Sequence, residues 1–125
     1  MSDALDAVDA ARTLVAADLA DHRYALALEQ AVAHRRWWLA QWPEGSAHVL
    51  GLLAQDAQEV VHAADPGWPA CREPTCPEVG RHALFVEPDL GPDPFWVCHR
   101  TGLPVAAVGA LSGPAGSAPG TAAPR

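Results

Sequence analysis

Proline and glycine are unevenly distributed along this chain, and their distribution constrains the fold more than any other sequence feature. The first proline is Pro43 and the first glycine is Gly45, and most residues before them are Ala, Leu, Arg, Glu or other helix-tolerant types. By contrast, seven of the 12 prolines lie between positions 66 and 94, which excludes a continuous helix there. The sequence therefore predicts helices up to about residue 65 and non-helical structure after it.

Apolar residues in the helical region recur at helical spacing and form two stripes. The first stripe comprises Val8, Ala11, Val15, Leu19, Leu26, Ala33 and Trp37, and the second, in the later half, comprises Ala25, Leu28, Val32 and Leu39. One helix over 3–41, or two helices with the second capped by Asp21, both agree with this pattern. Ser46 is expected to cap a further helix over 46–64. Short connections favour antiparallel neighbours, so we expect a helical hairpin or a three-helix arrangement.

The residues after 65 have the pattern of short strands. Three extended runs are separated by turns of Asp, Gly and Pro, over residues 83–87, 95–98 and 104–108. The last residues, 112–125, are Ser, Gly, Pro, Ala, Thr and a final Arg, which favour a disordered tail. We therefore expect an α+β chain, with a helical hairpin over 1–65, a small three-stranded β element over 66–111 and a tail.

All three cysteines lie in the β region, between positions 71 and 98. Cys71 and Cys76 form a C-x4-C pair, and structural zinc sites commonly take four Cys or His ligands as two close pairs. The segment Cys76-Pro-Glu-Val-Gly80 resembles the turn after a ligand in zinc ribbons, and Cys98-His-Arg-Thr-Gly102 resembles their second knuckle. Residues 71–108 thus resemble a degenerate zinc ribbon, and this resemblance implies Zn²⁺ as the cofactor.

The fourth ligand does not follow from the ribbon pattern. A ribbon would place a ligand three positions after Cys98, where this sequence has Thr101, so His82, His99 or His62 would have to serve. His82 ranks above His99, because the side chains of neighbouring residues in an extended segment leave on opposite faces. The predicted ligands are Cys71, Cys76, Cys98 and His82.

Two other interpretations of the cysteines remain open. The thiols could pack as buried groups without a metal, or Cys71 and Cys76 could form a disulfide, which a reducing compartment disfavours. No cysteine has a recognisable base-bearing motif nearby, and neither a phosphate-binding loop nor a nucleophile elbow is visible in the sequence. We therefore expect a protein that is not an enzyme.

Tryptophan and arginine alternate near the end of the helical region, and both anchor protein interfaces. The candidate partner-binding residues are Trp38, Trp42, Trp68, Trp96, Arg35 and Arg36. We expect an adaptor that binds another protein, with at least one of these four tryptophans facing solvent. Alternatively, Trp38 and Trp42 fill the closed end of the hairpin. The long apolar stripe could be an intrachain core or the seam of a homodimer through the N-terminal helix.

The excess of acidic over basic residues limits the kind of partner that the chain can bind. Eight basic residues against 15 acidic ones give a net charge of −7, which argues against broad binding to nucleic acid. The alternative function is a nucleic-acid-associated zinc ribbon, which would need Arg35, Arg36, Arg72, Arg81 and Arg100 on one face. The chain has no apolar run of the ~20 residues that a membrane span needs and does not begin like a signal peptide. We therefore expect no membrane span and a cytoplasmic location.

Overall fold

The computed structural model describes residues 3–88 and 90–113, so the expected tail lies outside the described residues from position 114 onwards. The helices are α1 (Asp3–Leu19), α2 (Ala25–Gln41) and α3 (Val49–His62), and the strands are β1 (Phe85–Glu87), β2 (Phe95–Val97) and β3 (Pro104–Ala107). Short 3₁₀ helices span His22–Tyr24 and Pro43–His48. The expected α+β class is confirmed, with three helices followed by a small sheet.

The N-terminal region consists of two helices rather than one. Ala20 has a φ of 51°, an uncommon conformation for a non-glycine residue, and α1 ends just before it. The carboxylate of Asp21 then accepts a hydrogen bond of 2.9 Å from the backbone N–H of Arg23 and caps the short helix His22–Tyr24. Asp21 therefore marks the break.

The interruption changes which stripe of α2 is buried. Val8, Ala11 and Val15 of the first stripe are buried on α1, but on α2 the buried residues are Leu28, Val32 and Leu39 of the second stripe. Leu26 and Trp37 are 71% and 61% exposed, so the first stripe forms an intrachain core on α1 but not on α2. The physical reason is the break at Ala20, after which α2 starts with a new helical phase.

Ser46 does not cap a helix, and that prediction is also wrong. It lies inside the 3₁₀ helix Pro43–His48, and His48, which precedes α3, makes no side-chain capping bond. The backbone N–H of Val49 instead bonds to the carbonyl of Ser46. The 3₁₀ turns thus give the start of α3 a backbone acceptor, and a hydroxyl is not needed there.

The three strands form an antiparallel sheet in the order β1-β2-β3. Trp96 on the central strand is paired with Val86 on one side and Ala106 on the other. The buried apolar residues of the helices and the sheet form one continuous core, which includes Val15, Leu53, Leu84, Trp96 and Val105. The side-chain amide of Gln58 on α3 donates to the carbonyl of Leu84, at 2.7 Å, and ties α3 to the start of the sheet.

A buried carboxylate on α1 also connects the helices to the sheet. Asp18 is 5% exposed and accepts hydrogen bonds from the indole Nε1–H of Trp96 (2.9 Å) and the backbone N–H groups of Gly109 (2.6 Å) and Leu111 (2.9 Å). Burial raises the pKa of Asp18, although these three donors oppose the shift by stabilising the ionised form. Asp18 therefore links α1 to the central strand and to the segment after β3.

Among residues 3–88 and 90–113, no helix combines the length and the apolar character that crossing a membrane requires.

Candidate metal centre

Four side chains from three separate segments converge at one end of the sheet. The sulfur atoms of Cys71, Cys76 and Cys98 and a ring nitrogen of His82 all lie within 4.8 Å of one another. Cys71 and Cys76 lie between α3 and β1, His82 lies just before β1, and Cys98 follows β2 directly. The structure thus brings together the four residues that the sequence predicts as metal ligands.

Backbone hydrogen bonds position Cys71, Cys76 and His82. The N–H of Cys71 donates to the carbonyl of His82 at 2.8 Å, next to an isolated antiparallel bridge between Ala70 and Ala83. The N–H of Cys76 closes a turn onto the carbonyl of Glu73 at 3.0 Å. Because of the bridge and the turn, the C-x4-C loop folds back over the segment that carries the histidine.

Cys98 begins a tight turn that leads into β3. The N–H of Gly102 bonds to the carbonyl of Cys98 at 2.7 Å, and the N–H of Cys98 bonds to the carbonyl of Leu103 at 3.0 Å. Gly102 has a φ of 75°, which glycine adopts without steric cost. The turn fixes Cys98 at the end of β2, and Cys98 is itself fully buried.

Two of the distances between the ligand atoms match those around a tetrahedral metal ion. The sulfur atoms of Cys76 and Cys98 are 3.7 Å apart, and the sulfur of Cys76 is 3.6 Å from Nε2 of His82. A zinc ion bonded at about 2.3 Å to sulfur and about 2.0 Å to nitrogen requires separations of about 3.8 Å and 3.5 Å in a regular tetrahedron. The three cysteines and the histidine could therefore hold a metal ion.

The electrostatics of the cluster differ from one thiol to another. Burial opposes ionisation of Cys98, but hydrogen bonds from the Thr101 side chain, His82 and the N–H groups of Thr101 and Arg100 prevail and lower its pKa to about 6. Burial raises the pKa of Cys71 to about 11, against a backbone N–H of Glu73 that favours ionisation, and the Cys98 and Cys76 sulfurs raise it further. Without a cation, ionisation of Cys98 is favoured over ionisation of Cys71, whereas a bound cation would favour the thiolate of both.

The two other candidate histidines lie outside the cluster. Nε2 of His99 contacts the carboxylate of Glu87 at 2.5 Å, and its ring stacks on Phe85 with centroids 4.8 Å apart. Nε2 of His62 lies 2.7 Å from the carbonyl oxygen of Trp68. In His82, Nδ1 is buried and has no hydrogen-bond partner in the described part of the chain, while Nε2 faces the sulfurs. All three cysteines are free, without a disulfide.

The four candidate tryptophans differ in exposure. Trp42 is 43% exposed and packs edge-to-face on half-buried Trp38, with ring centroids 5.2 Å apart. Both rings enclose Gly45, where a Cβ atom would lie 2.6 Å from a ring carbon of each. Trp68 is half-buried and packs on Trp96 at 5.5 Å.

The prediction that Trp96 binds a partner is wrong. Trp96 is only 1% exposed on the central strand, and its indole N–H donates a hydrogen bond to Asp18. Trp37 was not among these four candidates, because the sequence analysis placed it on the first apolar stripe. The 61% exposure of this residue makes it the most exposed tryptophan in the described residues.

The arginines proposed for a nucleic-acid surface are engaged within the chain. Arg35 lies over the ring of Trp38 and forms a largely buried, bidentate ion pair with Asp56. Arg72 donates to the carbonyl of Leu111 at 2.8 Å. The other three pair with carboxylates: Arg36 with Asp9, Arg81 with Asp65, and Arg100 with Glu78. Acidic groups thus offset most of this positive charge locally.

Comparison with known proteins gives one match. The model of a domain family of unknown function, DUF8819, matches residues 4–108, a range that includes the sheet and all four residues of the cluster. No similar curated protein and no similar solved structure was found.

Proposed function

The chain belongs to the DUF8819 family, and we propose that it is a small non-catalytic protein that holds a structural zinc ion and binds another protein. Cys71, Cys76, His82 and Cys98 would be the four ligands. The observation that carries this proposal is the convergence of their ligand atoms within 4.8 Å. Three thiolates and one imidazole form one of the ligand sets typical of structural zinc sites.

A structural role for the metal follows from the number of protein ligands. Catalytic zinc sites keep one position open for water or substrate, whereas four protein ligands fill a tetrahedron. An ion at this position would join the loop of Cys71 and Cys76 to His82 and to the end of β2. It would hold these segments together and leave no site for activating a water molecule.

Elemental analysis of protein purified without chelator tests the metal site. We expect one zinc ion per chain, and we expect Cys98→Ser and His82→Ala to lose it because each removes one of four ligands. His99→Ala is the matched control, since this neighbouring histidine lies outside the cluster and its loss should leave the zinc content unchanged. Cobalt substitution should give the visible absorption of a tetrahedral thiolate site. Zinc-free wild-type protein, or zinc retained in Cys98→Ser, would contradict the proposal.

The exposed indole of Trp42 supports binding to a protein rather than to nucleic acid. Tryptophan is enriched at the energetic centres of protein interfaces, and Trp42 is held in place by the ring of Trp38. The paired arginines and the net charge of −7 supply no broad positive surface for phosphates.

Affinity capture with matched variants tests this part of the proposal. We expect Trp42→Ser to lose a protein that the wild type and the control Leu90→Ser both retain, because Leu90 is exposed in the loop between β1 and β2. Capture that Trp42→Ser leaves unchanged would contradict a role for this surface. Salt-dependent binding to nucleic acid in a gel-shift titration would favour the nucleic-acid alternative instead.

A further inference from the structure

The outer face of α2 carries a stripe that nothing in the described chain covers. Leu26, Gln30, Ala33 and Trp37 are all exposed, and they follow one another at intervals of four, three and four residues. At 3.6 residues per turn, they lie opposite the buried face of Leu28, Val32 and Leu39. This alternating spacing is that of the contact positions of a coiled coil.

We propose that this stripe is the interface of a homodimer in which two α2 helices pack antiparallel about a two-fold axis. The stripe is self-complementary in that arrangement. Leu26 lies opposite the partner's Trp37, so the two large apolar side chains meet. Gln30 lies opposite the partner's Ala33, so the polar side chain meets a small one. A two-fold axis repeats both contacts, because the same patch is used on each copy.

The charges beside the stripe fit the same arrangement. Glu29 and Arg36 lie on one flank, the side that faces α1, and both are half-exposed. In an antiparallel pair, Glu29 of one copy faces the partner's Arg36, and the reverse contact follows by symmetry. Each already pairs with a residue of α1, Glu29 with Arg12 and Arg36 with Asp9. A second copy thus adds opposite charge on each side, and this complementarity within one helix favours a second copy over an unrelated partner.

The size of the contact determines the expected affinity of the dimer. Two large apolar side chains from each copy, Leu26 and Trp37, carry most of the exposed apolar surface of the stripe. The surface that these two side chains can bury is less than the roughly 800 Å² per partner of a standard stable interface. We therefore expect reversible dimerisation. A polar residue at a contact position specifies register at a cost in stability. Gln30→Leu should therefore tighten the dimer.

Sedimentation equilibrium of the full chain over a wide concentration range tests the proposal. We expect the mass to rise from that of one chain, 13.1 kDa, towards that of two. Trp37→Glu should weaken dimerisation by roughly 30-fold or more, because each copy loses the larger of its two large apolar contact side chains and gains a buried charge. The control Leu90→Glu adds the same charge at an exposed site on the β1–β2 loop and should behave as the wild type.

A mixing experiment tests the orientation. Leu26→Lys and Trp37→Glu should each weaken the homodimer. An equimolar mixture should dimerise more strongly than either alone, because the antiparallel arrangement places Lys and Glu side by side and keeps one Leu–Trp contact. In a parallel pair, mixing would only relieve the Lys–Lys and Glu–Glu repulsion of the two homodimers. The double variant Leu26→Lys/Trp37→Glu separates the two orientations, because it pairs Lys with Glu at both ends of an antiparallel dimer and like charges at both ends of a parallel one.

Several results would overturn the dimer. These are a wild-type monomer at all concentrations, equal effects of Trp37→Glu and Leu90→Glu, or mixing without recovery. A monomer whose Trp37→Glu variant loses a captured protein would assign the stripe to a different partner. The dimer does not rest on the metal site: its failure leaves the zinc content unchanged, and loss of zinc in Cys98→Ser leaves the α2 stripe intact.

Discussion

Asp18 provides the sharpest test of how the helices and the sheet are held together. We expect Asp18→Ala to be among the most destabilising single substitutions in the chain, although it only shortens one side chain. The carboxylate is 5% exposed and accepts three N–H hydrogen bonds, from Trp96, Gly109 and Leu111. Its removal leaves three donors without an acceptor.

The magnitude follows from where these donors lie. A buried donor left without a partner costs about 1–3 kcal/mol, and the full cost applies to the indole of Trp96, which is buried. Gly109 and Leu111 are only partly buried, so water can hydrogen-bond to their N–H groups in the variant. The free energy of unfolding should therefore fall by about 2–4 kcal/mol, most of it from the indole, a large part of the roughly 5–15 kcal/mol typical of a folded domain.

Urea unfolding monitored by tryptophan fluorescence and by far-ultraviolet circular dichroism measures this change. Asp6→Ala is the matched control, since Asp6 is an exposed aspartate on the same helix. Trp96→Phe removes a single donor, leaves the carboxylate two others, and should cost less than Asp18→Ala. A loss of less than about 1 kcal/mol in Asp18→Ala, or equal losses in Asp18→Ala and Asp6→Ala, would refute the reasoning, because buried unsatisfied donors cannot cost so little.

Three further predictions address other parts of the chain. Gly45→Ala should lower the free energy of unfolding by about 1–3 kcal/mol, since its methyl group would lie 2.6 Å from two indole rings; no change in urea unfolding would show that the rings move freely. Thr101→Cys should restore zinc to His82→Ala, because the Thr101 side chain hydrogen-bonds to the sulfur of Cys98; continued absence of zinc would place it out of reach of the centre. The hydrogen bond from Arg81, against a smaller effect of burial, lowers the pKa of Asp65, so this pair stabilises the fold above pH 3.8 and less as the pH falls through the lowered pKa. Asp65→Asn should therefore be destabilising in urea unfolding at neutral pH and neutral well below pH 3.8, and the same effect at both pH values would contradict the shift.

The distribution of proline and glycine predicted most of the fold, because these residues act locally. The strands begin and end within two residues of the predicted runs, and α2 and α3 end two and four residues before Pro43 and Pro66. The break at Ala20 was only an open alternative, since no breaker residue marks it. Because the phase of α2 depends on that break, the buried stripe of α2 could not be chosen from spacing alone, and the stripe of Trp37 stayed open as a core or a dimer seam.

The cluster was predictable for a different reason. Cysteine and histidine are few in this chain, with 3 and 6 residues, so their spacing narrows the ligand set to a few combinations. By contrast, Asp18 is one of 15 acidic residues, and its three donors lie far along the chain, at positions 96, 109 and 111. No local pattern marks such a residue. Its burial also conflicts with the usual exposure of aspartate, so sequence reasoning has no signal for it.

The positions of Asp18 and Cys98 imply that the helices and the proposed zinc site stabilise each other. Trp96 bonds to Asp18 of α1, and two residues later Cys98 enters the cluster, so a single short segment carries both attachments. A strand of only three residues gains little from its own ladder and depends on what fixes its ends. Removing zinc should therefore disturb the environment of Trp96 as well as the cysteine loop. Correspondingly, Asp18→Ala should weaken zinc binding, although Asp18 is not one of the four cluster residues.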